Sequence, residues 1–527
     1  MPRFSIITPV YNPPRDAFEL CVSSVLSQTS SDWEWCLAND ASPDSWVAPR
    51  LQELQRMDAR IRVVGRTTNG GIVAASNDAI ALAEGEFLVL LDNDDELHAD
   101  ALALVAAALD REPTADYLYS DENKVSPDGR HFDDFAKPVW SPERLLAQNY
   151  TSHLSVLRRS LVEEVGRFRP GFDGSQDYDL VLRVIERART VVNVPQVLYH
   201  WRSLPTSTAS AASAKPYAFI AAMKAVREHL SRCGVAAEVT EAGPSLARVR
   251  RASLHHPPVT VVLPVDDTTK RLFGVDTSLA DNVARSLAEK TTYNNYRVVI
   301  VAAPTLAKER VDAIASRFDD RVTILREERQ FNRAQYLNAG LVACTTPLAV
   351  LLDQTCEFID GNWLETLLGY STREKVACVA PFVVDEFGII FSAGLGMTPE
   401  PHEIGRGRHT SDFGPLGMFA IARECMGVST RCALVDVSML KSVGGFSPEY
   451  ATRWFDFDLM CKLRRHGLHS ITTPLATVRT FDDEMTFDEE ELFARRWGRL
   501  YGDDPYTRID TRLMARDLIS RRLVEST

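Results

Sequence analysis

Strand-length apolar runs alternate with segments of helical period along this chain, and that alternation limits the fold more than any single motif does. Phe4 to Val10 reads as a strand that stops at Tyr11-Asn12-Pro13-Pro14. Phe18, Cys21, Val22, Val25 and Leu26 then recur at helical spacing. Trp33 to Ala38, Ile61 to Val64 and Phe87 to Leu91 read as further strands, with a helix over Ala74 to Ala83. Strands and helices in that order imply an α/β fold with a parallel sheet and right-handed crossovers.

The fourth strand ends abruptly in Asp92-Asn93-Asp94-Asp95-Glu96. A strand buried on both faces delivers its last residues to the sheet rim, where open α/β folds bind ligands. Two carboxylates one residue apart repel unless a cation lies between them. Oxygen ligands of this kind suit Mg²⁺ or Mn²⁺, above all when phosphates complete the shell. The pattern therefore points to a metal–diphosphate site, the alternative being an acidic turn after a strand. Asp40 ends the second strand on the same edge. It is placed to bond a base or a ribose, or to act as a turn residue.

At 527 residues the chain needs two or three domains, and 45% hydrophobic residues supply their cores. A net charge of −13 argues against a nucleic-acid partner. Nine cysteines with no C-x-x-C pair suggest reduced thiols in a cytosolic protein rather than a disulfide framework or a zinc site. The N-terminus enters a strand directly, without the apolar region of a signal peptide. No stretch reaches the roughly 18 apolar residues of a membrane span.

The ordered motifs Ser5-Ile-Ile-Thr-Pro-Val-Tyr-Asn12, Asn39-Asp40-Ala-Ser42, Asn69-Gly-Gly71 and Leu91-Asp-Asn-Asp-Asp95 resemble those of family 2 glycosyltransferases. Tyr119-Ser-Asp121-Glu122, Phe135-Ala-Lys137-Pro-Val-Trp140, Gln148-Asn-Tyr150, Gly174-Ser-Gln-Asp177-Tyr-Asp-Leu180 and Leu198-Tyr-His200-Trp-Arg202 resemble its O-antigen and cell-envelope polysaccharide branch. The resemblance implies a GT-A fold, a Rossmann-like nucleotide-binding sheet. It implies a nucleotide-diphosphate sugar donor held by Pro9, Tyr11, Asp40, Asn69, Asp92 and Asn93. Asp94 would be the direct Mn²⁺ or Mg²⁺ ligand, with Asp92 a second ligand or a partner of the ribose. His200 would be a further ligand, or a structural histidine. Asp177 matches the catalytic base that takes the proton from the acceptor hydroxyl, in one displacement that inverts the anomeric centre. The same residue also reads as an acid at a helix N-terminus, and Asp179 as a support for that helix start. Lys137 and Arg202 read as diphosphate contacts or, preferably, as surface charges.

Ser203 to Ala214 is small and polar, a linker. Pro216 to Cys233 has helical spacing, and Val235 to Arg251 reads as a strand-rich connector. The pattern of the first half then returns: strands at Val259 to Pro264, Tyr296 to Val301, Val322 to Leu325 and Pro347 to Leu352, the last ending in Asp353-Gln354-Thr355. Here Thr355 replaces the second acid, and Arg479-Thr480 stands where His200 stood. Asp456 keeps the base position. A catalytically silent second domain is expected, shaping an acceptor groove or a dimer interface. The competing expectation is a metal-independent second transferase.

The whole reads as two Rossmann-like GT-A domains in tandem: residues 1–205 active, 206–256 a linker with a helix, 257–485 degenerate, and 486–527 a helical tail. Leu513, Met514, Leu518 and Leu523 suggest an amphipathic helix there, packing on its own domain or touching a membrane surface. The expected activity is sugar transfer to a saccharide or polyprenyl-linked acceptor in envelope polysaccharide synthesis, in the cytoplasm or at the inner face of the cell membrane. The rivals are a nucleotidyltransferase and a non-catalytic sugar-nucleotide-binding scaffold.

Overall fold

The computed structural model describes residues 1–203, 216–452, 454–482 and 489–509. They form two compact units, 1–140 with 148–235, and 141–147 with 236 onward. The expected linker from 204 to 214 and the tail helix with Leu513, Met514, Leu518 and Leu523 lie outside the described residues.

The first unit follows the alternation in its sequence. Its elements are β1 (Phe4–Val10), α1 (Arg15–Leu26), β2 (Trp33–Asn39), α2 (Val47–Met57), β3 (Ile61–Gly65), α3 (Gly71–Leu82), β4 (Phe87–Leu90) and β5 (Glu96–Leu97). They continue with α4 (Ala101–Arg111), β6 (Ala115–Val125), β7 (His131–Phe135), α5 (Pro142–Ala147, which belongs to the second unit), β8 (Ser155–Arg158), α6 (Arg159–Glu164), α7 (Gln176–Ile185), β9 (Thr190–Arg202) and α8 (Pro216–Arg232). The sheet runs β3-β2-β1-β4-β8-β6-β9-β5, with β7 beside β6. β1 to β4 are parallel, so their carboxyl ends share one rim. β8 runs against β4 and β6, while β9 returns parallel to β6.

Burial explains why the runs are strands. Every residue of β2 is buried, and Trp33 and Trp35 pack in one cluster with Phe4, Ile6, Phe18, Leu51, Val89 and Leu102. Several polar residues that the sheet buries are partnered. Trp35 Nε1 donates to Thr8 Oγ1 at 2.9 Å, and Ser5 Oγ donates to Glu34 Oε1 at 2.6 Å. Buried polar groups without partners would cost about 1–3 kcal/mol each.

The second unit repeats the order of the eight strands along this path and adds Ile390–Ser392 and Arg423–Cys425 beside it. Its sheet runs Val322–Arg326, Tyr296–Ala302, Val259–Val265, Leu348–Leu352, Cys432–Asp436, Val376–Val384, His469–Thr480, Cys356–Phe358. The stretch from Val235 to Arg251 folds into a two-stranded hairpin, Ala237–Gly243 with Leu246–Arg251. Within the described part of the tail, the helix Glu490–Trp497 buries Phe493 and Trp497 in the core of this unit. No helix among the described residues is long and apolar enough to cross a membrane.

Candidate active site

The rim of the first sheet is held together by its own turn residues. Asp40 N donates to Val10 O at 2.9 Å, joining the ends of β1 and β2. The Asp40 carboxylate is buried and accepts from Gly70 N at 2.8 Å and Gly71 N at 2.9 Å, with Arg66 Nε at 3.1 Å. Gly71 sits at φ +81°, a conformation open to glycine at little cost, and so lets the Asn69-Gly70-Gly71 turn wrap that carboxylate. Asp40 thus acts as an anchor for the start of α3, both of its oxygens already engaged. Asn69 itself is exposed beside it. Asn93 Nδ2 donates to Pro9 O at 2.8 Å, tying the acidic loop to the end of β1. Tyr11, 52% exposed, stands at the open side of this rim.

The acidic loop divides its labour. Asp95 is buried, accepting from Tyr199 Oη at 2.6 Å and from Arg202 N at 2.7 Å, and so locks the loop to β9. Asp92 is open to solvent and Asp94 half-buried. Although Asp92 keeps solvent access, desolvation by the protein around it raises its carboxyl above the usual range, with His153 opposing and Asp177 adding to the rise. Burial and the Asp92 charge push Asp94 up to about 6.

Ligand atoms of Asp92, Asp95 and His153 lie within 4.8 Å of one another, a group able to hold a metal ion. His153 comes from the segment before β8. Its ring stacks on Tyr199 with centroids 4.6 Å apart, and its Nδ1 lies 3.3 Å from Glu122 Oε2. Although burial opposes it, Glu122, Asp95 and Asp92 raise the imidazole to about 9. His200 has different neighbours. Its Nδ1 is 2.7 Å from Asn123 Oδ1, and its ring packs against His131 at 4.5 Å and His98 at 6.3 Å. Burial and those two imidazoles lower it to about 4. The structure therefore groups Asp92 with His153, and groups His200 with two other histidines.

Asp177 lies in the first turn of α7, where Asn149 Nδ2 donates to its Oδ2 at 2.9 Å. Its charge acts on the Asp92 carboxyl. Asp179 is turned inward and buried, paired with Arg169 at 2.6 Å and Arg183 at 2.8 Å. It supports the helix. Lys137 and Arg202 are not surface charges. Lys137 is fully buried, with Nζ 2.9 Å from Glu122 Oε2 and donating to the carbonyls of Thr151 and His153. Arg202 is 4% exposed, donating to Asp94 O at 3.1 Å and pairing with Glu96. Both cations neutralise acids of the site from behind.

The equivalent rim of the second unit carries its own cations. Arg333 Nε lies 2.8 Å from Asp353 Oδ2, while Thr355 N and Oγ1 donate to Asp353 Oδ1 at 2.8 and 2.7 Å. Burial would raise Asp353, but Arg333 and Arg431 hold it below the usual carboxylate range. Asp456 accepts from the backbone N and the hydroxyl of Thr430. Asp458, like Asp179, is buried and paired with a cation one turn on, Lys462 at 2.8 Å.

Two Rossmann-like α/β units, the first with open carboxylates on its rim, define the class. Residues 5–166 and 278–444 match the family model Glycosyl transferase family 2. The chain belongs to that family, and its tandem α/β architecture is the one the motifs imply. It is 33% identical over 487 residues to protein y4gI of Sinorhizobium fredii, an alignment covering 90% of this chain and 52% of that one. It is 31% identical over 475 residues to the O-antigen biosynthesis protein RfbC of Myxococcus xanthus, covering 90% and 37%. The chain thus spans about half or less of these relatives' lengths. Among solved structures, S. aureus TarS 1-349 in complex with UDP-GlcNAc aligns with TM-score 0.37 and 21% identity, over 43% of this chain and 66% of that one.

Proposed function

We propose that the first unit is an inverting, divalent-metal-dependent glycosyltransferase that uses a nucleotide-diphosphate sugar. The observation that carries this reading is the convergence of Asp92, Asp95 and His153 at the sheet rim, with Asp94 on the same loop and Asp177 in the first turn of α7. The residues fit a divalent cation, because ligand atoms of Asp92, Asp95 and His153 converge within 4.8 Å at the rim. Asp92 would hold that ion, with His153, once it gives up its proton, in the place expected of His200 and Asp94 beside them on the same loop, while Asp95 braces the loop. When bound, the ion supplies positive charge to the departing diphosphate. Pro9, Tyr11, Asp40, Asn69 and Asn93 form the nucleotide side of the rim, Asp40 by fixing the turn at Asn69. Asp177, oriented by Asn149, takes the acceptor proton.

The name of the Myxococcus relative, O-antigen biosynthesis protein, supports an acceptor in envelope polysaccharide synthesis, a saccharide or a polyprenyl-linked chain at the inner membrane face. The second unit is silent: where a cation and diphosphate would sit, Asp353 is already neutralised by Arg333 and Arg431.

The test is turnover of UDP-, GDP- and dTDP-sugars by the full chain with Mn²⁺ or Mg²⁺ and envelope lipid extract, reading released nucleoside diphosphate. Metal-dependent release that disappears in Asp94→Ala supports the reading. Release from no donor, with nucleotide binding retained, would leave a sugar-nucleotide-binding protein instead.

A further inference from the structure

The join between α7 and α8 carries a second convergence of ligating side chains, in the same unit but apart from the acidic loop. Glu186, at the C-terminal cap of α7, places Oε1 2.8 Å from His229 Nδ1 on α8. Cys233, one turn after His229, brings its Sγ to 4.0 Å from Nδ1 and 3.9 Å from Nε2. Ligand atoms of all three lie within 4.8 Å of one another. From this geometry we propose that Glu186, His229 and Cys233 form a zinc-binding site with three protein ligands, one that leaves a coordination position to water.

The donor set selects the metal. One thiolate, one imidazole and one carboxylate are ligands that suit Zn²⁺, and the thiolate disfavours Mg²⁺ or Ca²⁺. Tetrahedral bonds of about 2.0 Å to N and O and 2.3 Å to S put ligand atoms roughly 3.3–3.6 Å apart. The present separations of 2.8 and 4.0 Å bracket that value, so small side-chain rotations close the site. Cys233 directly follows the last residue of α8, four residues after His229, and its N donates to His229 O at 3.0 Å, which keeps the two on one side of that helix end.

The site has a competitor and a release for it. Arg232 now pairs with Glu186, Nη2 to Oε1 at 2.7 Å. Zinc displaces that guanidinium, and Glu228 is its alternative partner, already 3.8 Å away and one turn back on the helix. As the Zn–S bond forms, the Cys233 thiol gives its proton to solvent. The consequence is a clamp on α7. α8 already grips that helix through Ser175 Oγ to Ala218 O at 2.8 Å and through Arg169, which bridges Asp179 and Glu228 at 2.6 Å each. Zinc at Glu186 fixes the other end of the helix whose first turn bears Asp177.

The experiment uses the full chain, stripped with a chelator and titrated with Co²⁺ as a spectroscopic stand-in for Zn²⁺. The expected result is a near-ultraviolet thiolate-to-cobalt band with intense tetrahedral visible bands, both abolished by stoichiometric Zn²⁺. Cys233→Ser removes the thiolate band, His229→Ala weakens binding at least tenfold, and Arg232→Ala tightens it. Asp92→Ala leaves the thiolate band unchanged, which separates this site from the acidic loop. Zn²⁺ also raises the Tm of the wild type but not of Cys233→Ser. A weak octahedral cobalt spectrum, or a thiolate band that survives in folded Cys233→Ser, overturns the proposal.

Discussion

Asn149 Nδ2 lies 2.9 Å from Asp177 Oδ2, a hydrogen bond between a loop and the first turn of α7. The bond fixes the carboxylate whose charge acts on Asp92. In the proposed mechanism Asn149 is a positioning residue. Asn149→Ala should lower kcat by roughly tenfold, the worth of one hydrogen bond to a charged group, with donor KM little changed. Asp177→Asn should cost roughly 10²–10⁴-fold in kcat, the usual range for a lost general base. Steady-state kinetics on both variants check the pair, and a KM effect without a kcat effect would place Asn149 in substrate binding instead.

The buried Lys137–Glu122 pair makes the first unit sensitive to acid. Burial works against the charge on Glu122, yet Lys137 and His153 hold its carboxyl down at about 2. A depressed carboxylate stabilises the fold above its unfolded pKa of about 4.3, and that stability is lost as pH falls toward the folded value. Between about pH 4.5 and 2 the unit should lose on the order of 2–3 kcal/mol from this residue. Lys137→Met, which leaves Glu122 buried and unpaired, should destabilise by about 3–5 kcal/mol at neutral pH and flatten the acid limb. Urea denaturation followed across pH measures both. An unchanged acid limb in the variant would show that the pair does not set it.

Arginines in the second unit should have structural and not catalytic effects. Arg333→Ala leaves Asp353 with one fewer cation in a buried setting. It should lower the Tm, while turnover per folded molecule stays within about twofold of wild type. A variant that unfolds no earlier but loses activity would place Arg333 in a working site.

Much of this architecture was legible in the chain. The strand bounds from the apolar runs agree with the structure within a residue or two, because buried strands leave an unbroken apolar signature. Asp92, Asp94 and Asp177 sit at ends of elements, where position in the sequence fixes position in space. His153 was not legible. It precedes β8, about sixty residues from Asp92, and only the antiparallel insertion of β8 beside β4 brings the two together. The same holds for Arg333 and Arg431: the loss of an acid at Thr355 is visible in sequence, but the cations that fill its place come from a helix start and a strand start far apart in the chain. Lys137 misled for the opposite reason. A lone lysine reads as exposed even in the apolar run Phe135-Ala-Lys137-Pro-Val-Trp140, and only the long-range partner Glu122 makes its burial tolerable. Helix α8 sits in a stretch read as a linker, yet the structure packs it on α7.

The central claim is that one of two homologous base positions works and the other does not. The most direct measurement compares Asp177→Asn with Asp456→Asn in the full chain, under conditions where the wild type releases nucleoside diphosphate with Mn²⁺ or Mg²⁺. The account predicts loss of at least a hundredfold in the first and wild-type turnover in the second. Activity that survives Asp177→Asn but disappears in folded Asp456→Asn would move catalysis to the second unit and contradict it.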